Sequence, residues 1–488
     1  MNKPDSGDAA RWAGVRRVHL IAVSGVAMTS LAGMLKSRGL EISGSDQNVY
    51  PPASTLLDRL GIGVRLGYRP ENLEPPPDLV IVGNAVSRTN PEVAAMLARG
   101  LPYTSMPEAI RCFFLVGKRS LVVAGTHGKT TSTAMLAWVL HCAGRSPSLM
   151  LGGESLDFGA NYQLGEGEDF VVEGDEYDTA FFDKGPKFLH YEPRALILTA
   201  MEFDHADIFR DLEHVTDAFI ELLKIVPDGA PVVACSDFPQ VEKAVREGGR
   251  TIERFGLGPG ADWRAVHLDD GGGRIRFAVR FEGRLEAELA IRPMGEMNVR
   301  NALGVFALCR RLGLSVGDIR PGLESFRGVR RRQEVIREGA VTVIDDFAHH
   351  PTAIAATLAA VRARYLGRRL WAVFEPRSNT SRRRTFQKEF AEALRGADVA
   401  VIAAVFFKET DPIPEGDRLS VERVVADLVA TGREAVTFAD NEAILRHLEQ
   451  SVQSGDVVVF LSNGAFGGLP QRFAAWVGRG ADDLPSSC

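Results

Sequence analysis

The chain has 488 residues, of which 45% are apolar and 25% charged, and its formal net charge is −6. This composition is typical of a globular protein of about three domains, and it gives no reason to expect a nucleic acid or an anionic membrane as partner. The five cysteines are widely scattered and form no C-x-x-C pair, which favours reduced thiols in a cytoplasmic protein over disulfides or a zinc framework.

The first hundred residues alternate between strand and helix patterns. Residues 1–14 are polar and rich in Gly and Ala, so we expect a frayed tail there. From residue 15 an apolar strand, a helix and a second strand follow in turn, and the apolar run breaks at Ser24-Gly25, which argues against a signal peptide or a membrane span. The alternation predicts a parallel sheet with helices on both faces and ligands at the C-terminal strand ends.

The first strand-to-helix turn partly matches a dinucleotide fingerprint. Ser24-Gly25 occupies the turn, and Asp46 lies about twenty residues further on. Ala22 stands where the first glycine belongs, and the third glycine is absent. A tight turn without a ligand explains this stretch equally well.

Residues 124–132, AGTHGKTTS, lie between a buried strand pattern and a helix that stops at Gly144. Strand, Gly-rich turn and helix start is the geometry in which backbone N–H groups and a helix N-terminus bind phosphate. Lys129 can reach the β- and γ-phosphates, and the Thr130 hydroxyl can ligate Mg²⁺. Only Thr126 and His127 separate Gly125 from Gly128, against four residues in the usual P-loop. The stretch predicts an ATP site.

Acidic residues follow the next strand patterns. DFVVEGDEYD ends in Glu173, Asp175 and Glu176, and a carboxylate beside a P-loop can hold Mg²⁺. Glu173 is the best candidate, although a charged loop without a metal is the alternative. His205 follows the neighbouring strand, but spacing alone does not make it a ligand because Mg²⁺ prefers oxygen.

The second half contains a β-rich stretch and a further strand-helix series. Residues 230–290 are rich in strands and turns, and Asn298 and Asn301 then lie three apart on one helix face. Their amides suit the edge of adenine, while a helix N-cap is an equally good explanation from spacing alone. A second doubly wound sheet is predicted from about residue 341 onward. Arg377 and the arginines at 382–384 would attract a carboxylate-bearing peptide, although some must be surface residues.

Taken in order, these motifs resemble the Mur ligase superfamily of ATP-dependent amide-forming enzymes. The quoted signatures are GTHGKTT, D-H-x-D at 204–207, G-x-x-N-x-x-N-A at 295–302 and R-Q-E at 332–334. The resemblance implies an α/β fold with three domains: a Rossmann-like UDP-binding domain at 15–117, a central P-loop ATPase domain at 118–328 and a Rossmann-like C-terminal domain at 329–488.

The resemblance also assigns roles to particular residues. It implies UDP-sugar contacts at Ser24, Gly25, Val26, Ala27, Asp46 and Asn84; ATP contacts at Gly125, Thr126, His127, Gly128, Lys129, Thr130, Thr131, Asn298, Asn301, Arg332 and Asp346; and peptide contacts at Arg377, Ser378, Asn379 and Asn463. Two Mg²⁺ ions are expected, at Thr130 with Glu173 and at His205. Lys129, Glu173, His205 and Arg332 are the implied catalytic residues. Ala22 and Ala200 depart from the residues common in the family.

Three stretches narrow the expected reaction. Residues 173–191, 375–381 and 461–469 resemble superfamily members that join UDP-N-acetylmuramate to L-alanyl-γ-D-glutamyl-meso-diaminopimelate in peptidoglycan recycling. The alternative is the biosynthetic ligation of L-alanine to the same nucleotide sugar. A P-loop ATPase without ligase activity, a kinase or folate-type ligase, and a non-catalytic regulator are less consistent with the full motif set. The base for the attacking amine stays open among His349, His350 and Asp346.

Overall fold

The computed structural model describes residues 12–50, 53–204, 208–407 and 412–479. Most of the predicted tail and His205 therefore lie outside the described residues. Within them the chain forms three large sheets in chain order, each flanked by helices. None of the described helices has both the length and the apolar character needed to cross a membrane.

The first sheet has five strands, all parallel, in the order β3-β2-β1-β4-β5. Its strands are Arg17–Ile21 (β1), Glu41–Asp46 (β2), Val64–Leu66 (β3), Leu79–Val82 (β4) and Tyr103–Ser105 (β5). Its helices are Val26–Ser37 (α1), Ala53–Arg59 (α2), Pro91–Ala98 (α3) and Met106–Ile110 (α4), the last continuing as one π-helical turn, Arg111–Leu115. Ala22, in the turn after β1, adopts a φ of 67°, a conformation that glycine takes more easily.

The central sheet has ten strands in the order β17-β16-β15-β14-β13-β12-β6-β9-β7-β8. A short two-stranded hairpin, β10-β11, stands beside it. The strands are Arg119–Ala124 (β6), Ser148–Ser155 (β7), Ala160–Gln163 (β8), Asp169–Gly174 (β9), Asp178–Ala180 (β10), Asp183–Pro186 (β11), Ala195–Leu198 (β12), Val232–Cys235 (β13), Glu253–Gly256 (β14), Trp263–Gly271 (β15), Arg274–Phe281 (β16) and Arg284–Ile291 (β17). The helices are Lys129–Cys142 (α5), Leu212–Ile225 (α6), Pro239–Gly248 (α7), Glu296–Arg311 (α8) and Val316–Ser325 (α9).

The strand order of the central sheet places β6, which precedes the phosphate loop, between β9 and β12, whose C-terminal ends lead to acidic residues. β6 pairs in parallel with β9 on one side and with β12 on the other. Because parallel strands end at the same sheet edge, the loops after β6, β9 and β12 meet there. The β-rich stretch at 230–290 extends this sheet: β15 pairs in parallel with β14, and β16 and β17 then add as antiparallel neighbours.

The third sheet has the order β18-β19-β23-β20-β21-β22, parallel except for β18. Its strands are Glu334–Arg337 (β18), Thr342–Asp346 (β19), Leu370–Phe374 (β20), Val399–Ala403 (β21), Glu434–Phe438 (β22) and Val457–Leu461 (β23). Its helices are Pro351–Arg364 (α10), Gln387–Leu394 (α11), Val421–Ala430 (α12), Asn441–Ser451 (α13) and Leu469–Arg479 (α14). The α/β class and three-part architecture expected from the sequence are confirmed.

The hydrophobic cores connect the first two sheets more closely than the third. One continuous cluster contains Leu31 of α1, Met150 of β7 and Val122 of β6. The third sheet has separate clusters on its two faces, and among the described residues of the central part Met294 alone reaches one of them. Interfaces with little shared apolar core allow relative motion, so the third sheet is the part best able to move as a unit.

Ion pairs reinforce the contact between the first two sheets. Glu108 of α4 pairs with Arg111 at 2.8 Å and with His190 at 3.4 Å, and His190 also pairs with Asp183 at 2.9 Å. The hydrogen bonds from His190 and Arg111 hold the pKa of Glu108 well below its usual range. Burial alone would lower the pKa of His190, but Glu108 and Asp183 outweigh it and raise that pKa.

We expect His190→Gln to lower the free energy of unfolding by up to about 1 kcal/mol at pH 6 and by less at pH 8. The depressed pKa of Glu108 stabilises the fold above about pH 4.3. The raised pKa of His190 stabilises the fold fully below about pH 6.5, and this contribution is lost as the pH rises through the pKa of His190 in the folded protein. Denaturant unfolding at both pH values measures the difference. His267→Gln, at an exposed histidine, is the control; an equal loss at both pH values would contradict the assignment.

Candidate active site

A cavity of about 1060 Å³ lies at the junction of the central and third sheets. Its walls include the phosphate loop, the start of α8, the segment that leads into the third sheet, the β15–β16 turn and part of α10. The predicted ATP residues that line it are Thr126, His127, Gly128, Lys129, Thr130, Thr131, Asn298, Asn301, Arg332 and Asp346, together with Glu173. Residues far apart in sequence therefore share one cavity.

The phosphate loop depends on two glycines. Gly125 has a φ of 139° and Gly128 a φ of 84°. A Cβ on Gly125 would lie 2.2 Å from Thr199 Oγ1, and one on Gly128 would lie 2.5 Å from Asn301 Oδ1. No side chain of the described residues caps α5, whose N-cap is Gly128. The loop and the uncapped helix start can therefore present backbone N–H groups to an anion.

Lys129 is buried and already paired. Its Nζ donates to the Gly125 carbonyl at 2.6 Å and to Glu176 Oε2 at 2.9 Å, and the residue is 7% exposed. Burial alone would lower the pKa of Lys129, but Glu176, Asp175 and Glu173 together raise it. The ammonium therefore stays charged in the cavity, as phosphate binding requires.

Thr130 and Glu173 form the oxygen-rich corner of the cavity. The Thr130 hydroxyl donates to Glu173 Oε1 at 2.7 Å, and the Gly152 N–H donates to Oε2 at 2.7 Å. Burial and the charge of Asp175 raise the pKa of Glu173. A cation bound beside this carboxylate would lower that pKa again. A hydroxyl beside a buried carboxylate is a donor set that Mg²⁺ prefers, so these residues fit the expected ion. The partner expected at His205 lies outside the described residues.

Arg332 connects the linker to this corner. Its Nη2 donates to Thr130 Oγ1 at 3.2 Å, and its guanidinium lies 4.3 Å from the centre of the Phe347 ring. Asp346 lies at the end of β19 and accepts the Gln333 and Ala348 N–H groups, both at 2.6 Å. Burial raises the pKa of Asp346 to about 6. The guanidinium thus lies beside the hydroxyl that the sequence assigned to phosphate-bound metal.

The two asparagines form an amide network with a residue that the sequence analysis had not singled out. Asn298 Nδ2 donates to Gln333 Oε1 at 3.0 Å and to the Met294 carbonyl at 2.8 Å, and Asn301 donates to Asn298 Oδ1 at 3.1 Å. The N-cap of α8 is Gly295, so the alternative that these asparagines cap the helix is wrong. Gln333 carried only a weak signal, its place next to Arg332 in the R-Q-E motif.

Glu202 is a second residue that the sequence analysis missed. Its Oε2 lies 2.9 Å from His127 Nε2 and 3.8 Å from His350 Nδ1. Burial would raise the pKa of Glu202, but the hydrogen bond from His127 outweighs it and lowers that pKa. Burial, with His127, lowers the pKa of His350 to about 4. The signal that could have found Glu202 is its position just after β12, on the edge that carries the phosphate loop.

The predicted peptide residues lie outside the cavity lining. Ser378 exchanges hydrogen bonds with Ser381, Asn379 accepts from Arg382 at 3.2 Å, and Asn463 Oδ1 is buried without a hydrogen-bond partner among the described residues. Arg377 lies 3.8 Å above the Phe406 ring. The same loop reaches the central sheet, because Thr380 Oγ1 donates to Asp204 Oδ1 at 2.8 Å.

The predicted UDP residues cluster at the first sheet, also outside the cavity lining. Ser24, Gly25, Val26 and Ala27 form the turn after β1 and the start of α1, and the Ser24 N–H donates to Asp46 Oδ2 at 2.9 Å. Asn84 is exposed just after β4. Asp46 therefore has a structural role in the turn, and the uncapped start of α1 remains suited to a diphosphate.

Comparison with known proteins gives matches along most of the chain. Residues 17–115 match the model of the Mur ligase family catalytic domain, residues 123–309 the Mur ligase middle domain, and residues 331–464 the Mur ligase glutamate ligase domain. The chain is 39% identical to UDP-N-acetylmuramate–L-alanyl-γ-D-glutamyl-meso-2,6-diaminoheptandioate ligase of Escherichia coli K12, over 96% of this chain and 99% of the relative.

Two further proteins show the range of similarity. UDP-N-acetylmuramate–L-alanine ligase of Paraburkholderia xenovorans is 33% identical over 94% of this chain and 98% of its own. A crystal structure of murein peptide ligase from Psychrobacter arcticus superposes with a TM-score of 0.71 at 33% identity, covering 97% of this chain and 100% of that one.

We expect Gly128→Ala to lose nucleotide affinity, because the added Cβ would meet Asn301 and strain the loop. Gly144→Ala is the matched control, since Gly144 has a similar φ of 76° but open space around its Cβ position. Both variants should lose about 1–2 kcal/mol of stability from the left-handed conformation. Titration with a fluorescent ATP analogue should show weakened binding in Gly128→Ala alone; equal affinity in both variants would contradict this account of the loop.

Proposed function

The chain belongs to the Mur ligase family, and from this we propose that it joins UDP-N-acetylmuramate to L-alanyl-γ-D-glutamyl-meso-diaminopimelate with the conversion of ATP to ADP and phosphate. The observation that carries the proposal is the 39% identity, over nearly the full length of both chains, to the Escherichia coli ligase named for this reaction. The shared cavity of Lys129, Thr130, Glu173 and Arg332 supports it, because this is the machinery that phosphoryl transfer needs.

The reaction must begin with activation of the lactyl carboxylate of the nucleotide sugar, because a free carboxylate is a poor electrophile. A carboxylate oxygen of the lactyl group attacks the γ-phosphorus, ADP leaves, and an acyl phosphate forms. Lys129, Arg332 and the loop N–H groups stabilise the negative charge on the transferring phosphoryl group. Lys129 exchanges part of its bonding to Glu176 for bonding to phosphate. Thr130 and Glu173 would hold Mg²⁺, which would supply further positive charge to the phosphates.

The peptide amine then attacks the acyl carbon, phosphate leaves, and the nitrogen loses a proton. In our proposal a second Mg²⁺ lies at His205, and Asn298, Asn301 and Asp346 contact the adenosine part of ATP. UDP binds at Ser24, Gly25, Val26, Ala27, Asp46 and Asn84.

The functional domains are assigned to 15–117, 118–328 and 329–488. A substrate set of ATP and a UDP-sugar, with scattered cysteines, favours a cytoplasmic site of action.

The limited apolar contact between the third and central sheets supports closure during the reaction. Arg377, Ser378, Asn379 and Asn463 belong to the third sheet, which shares little apolar core with the central one. Movement of that sheet would bring the bound peptide to the acyl phosphate and exclude water, which would otherwise hydrolyse it.

A second candidate function is ligation of L-alanine, which the 33% identity to the Paraburkholderia xenovorans enzyme favours. ADP release with ATP, Mg²⁺ and UDP-N-acetylmuramate distinguishes the two when L-alanine and the tripeptide are supplied separately. Turnover with the tripeptide only supports the proposal, and turnover with L-alanine alone overturns it in favour of the second candidate. Lys129→Ala should abolish ADP release, which excludes a contaminating ATPase.

We expect Arg377→Ala to raise the KM for the tripeptide about tenfold or more, since a hydrogen bond to a charged group contributes about 1.5–3 kcal/mol. The kcat and the KM for ATP should change little, because Arg377 lies outside the ATP cavity. Arg395→Ala, at an exposed arginine of the same sheet, is the matched control. An unchanged KM for the tripeptide would show that Arg377 does not bind its carboxylates.

A further inference from the structure

Two histidines and a glutamate from three different segments meet beside the phosphate loop. His127 belongs to that loop, Glu202 follows β12, and His350 is the N-cap of α10. One donor atom from each residue lies within 4.8 Å of those of the other two. His127 and His350 line the cavity, so a solute there can reach them.

The spacing of these atoms suits a tetrahedral ion. Bonds of about 2.0–2.2 Å at tetrahedral angles place donor atoms about 3.4 Å apart. The measured separations are 2.9 Å from His127 Nε2 to Glu202 Oε2 and 3.8 Å from His350 Nδ1 to the same oxygen. These two separations bracket the ideal value, and the third, between His127 and His350, is at most 4.8 Å, so movement of His350 toward the other two ligands would complete the geometry.

The first two ligands are held firmly by the central sheet. Thr199 Oγ1 donates to the His127 carbonyl at 2.6 Å. Thr126 Oγ1 donates to the Glu202 carbonyl at 3.1 Å and accepts the Glu202 N–H at 3.0 Å. A preorganised pair of ligands loses little conformational entropy when an ion binds.

His350 supplies the third ligand from the third sheet. Its Nδ1 lies 3.8 Å from Glu202 Oε2 and accepts the Thr352 N–H at 3.3 Å, a hydrogen bond that zinc ligation by this nitrogen would replace. The other ring nitrogen, Nε2, is buried without a hydrogen-bond partner among the described residues, and the residue is 6% exposed. A buried imidazole with so little hydrogen bonding is poorly explained by structural support alone.

We propose that His127, Glu202 and His350 form a zinc site, separate from the oxygen-ligand magnesium corner at Thr130 and Glu173. Two imidazoles and a carboxylate with an open fourth position are a donor set that selects Zn²⁺, whereas Mg²⁺ prefers oxygen alone. Zinc binding displaces the proton shared by His127 and Glu202, and water takes the fourth position. Because His350 belongs to the third sheet, the ion would join that sheet to the phosphate loop and restrain their relative motion.

The site is tested by zinc affinity, measured by competition with a chromophoric chelator on the full chain. A Cys142→Ser background removes the exposed thiol, which could bind zinc adventitiously. We expect one Zn²⁺ per chain, with an affinity at least about tenfold weaker in Glu202→Gln and in His350→Gln. His141→Gln, at an exposed histidine, is the matched control and should bind zinc normally.

Two spectroscopic measurements on the unsubstituted chain test the zinc site without depending on whether the variants fold. Co²⁺ in place of Zn²⁺ should give the intense visible absorption of a four-coordinate ion, and X-ray absorption of the zinc form should show two imidazole ligands. Unchanged zinc affinity in both Gln variants, the absence of a stoichiometric site, or six-coordinate oxygen ligation would overturn the proposal. None of these readouts depends on ligase turnover, so they stand apart from the proposed function.

Discussion

The ion pair of Lys129 and Glu176 determines how charge is distributed in the cavity. A buried ammonium is costly unless it is paired, and here one carboxylate and the Gly125 carbonyl satisfy it. The pairing keeps a positive charge at the phosphate loop. Phosphate binding at this ammonium would then exchange one negatively charged partner for another.

The acidic residues around that ammonium explain why a divalent cation belongs to the same site. Glu173 lies at the end of β9, and Asp175 and Glu176 come directly after the strand; of the three, Glu176 is the direct partner of Lys129 among the described contacts. Asp175 pairs with the buried Lys187 at 3.3 Å, whereas Glu173 is bonded only by the Thr130 hydroxyl and the Gly152 N–H in the contacts described above. Glu173 is therefore the carboxylate with the most negative charge left to neutralise.

The distribution of apolar and polar contacts gives the molecule a fixed part and a movable part. The first and central sheets share one core and the Glu108-His190 ion pairs, so they form one support for the nucleotide-sugar and ATP sites that we propose. Contacts with the third sheet are largely polar and local, as at Thr380 with Asp204 and Arg332 with Thr130. Polar contacts of this kind can form and break with small changes in free energy, which suits a domain that delivers a substrate.

The sequence by itself determined the fold class, the phosphate loop and its partner Glu173, because strand-turn-helix periodicity and local motifs are properties of neighbouring residues. It also placed Asn298 and Arg332, although not the Gln333 contact between them. The tertiary structure alone decided which residues from distant segments meet. Glu202 joins His127 because β12 pairs with β6, and Thr380 reaches Asp204 because the third sheet lies against the central one. Strand order and packing between sheets arise from contacts far apart in the chain, and periodicity does not encode them.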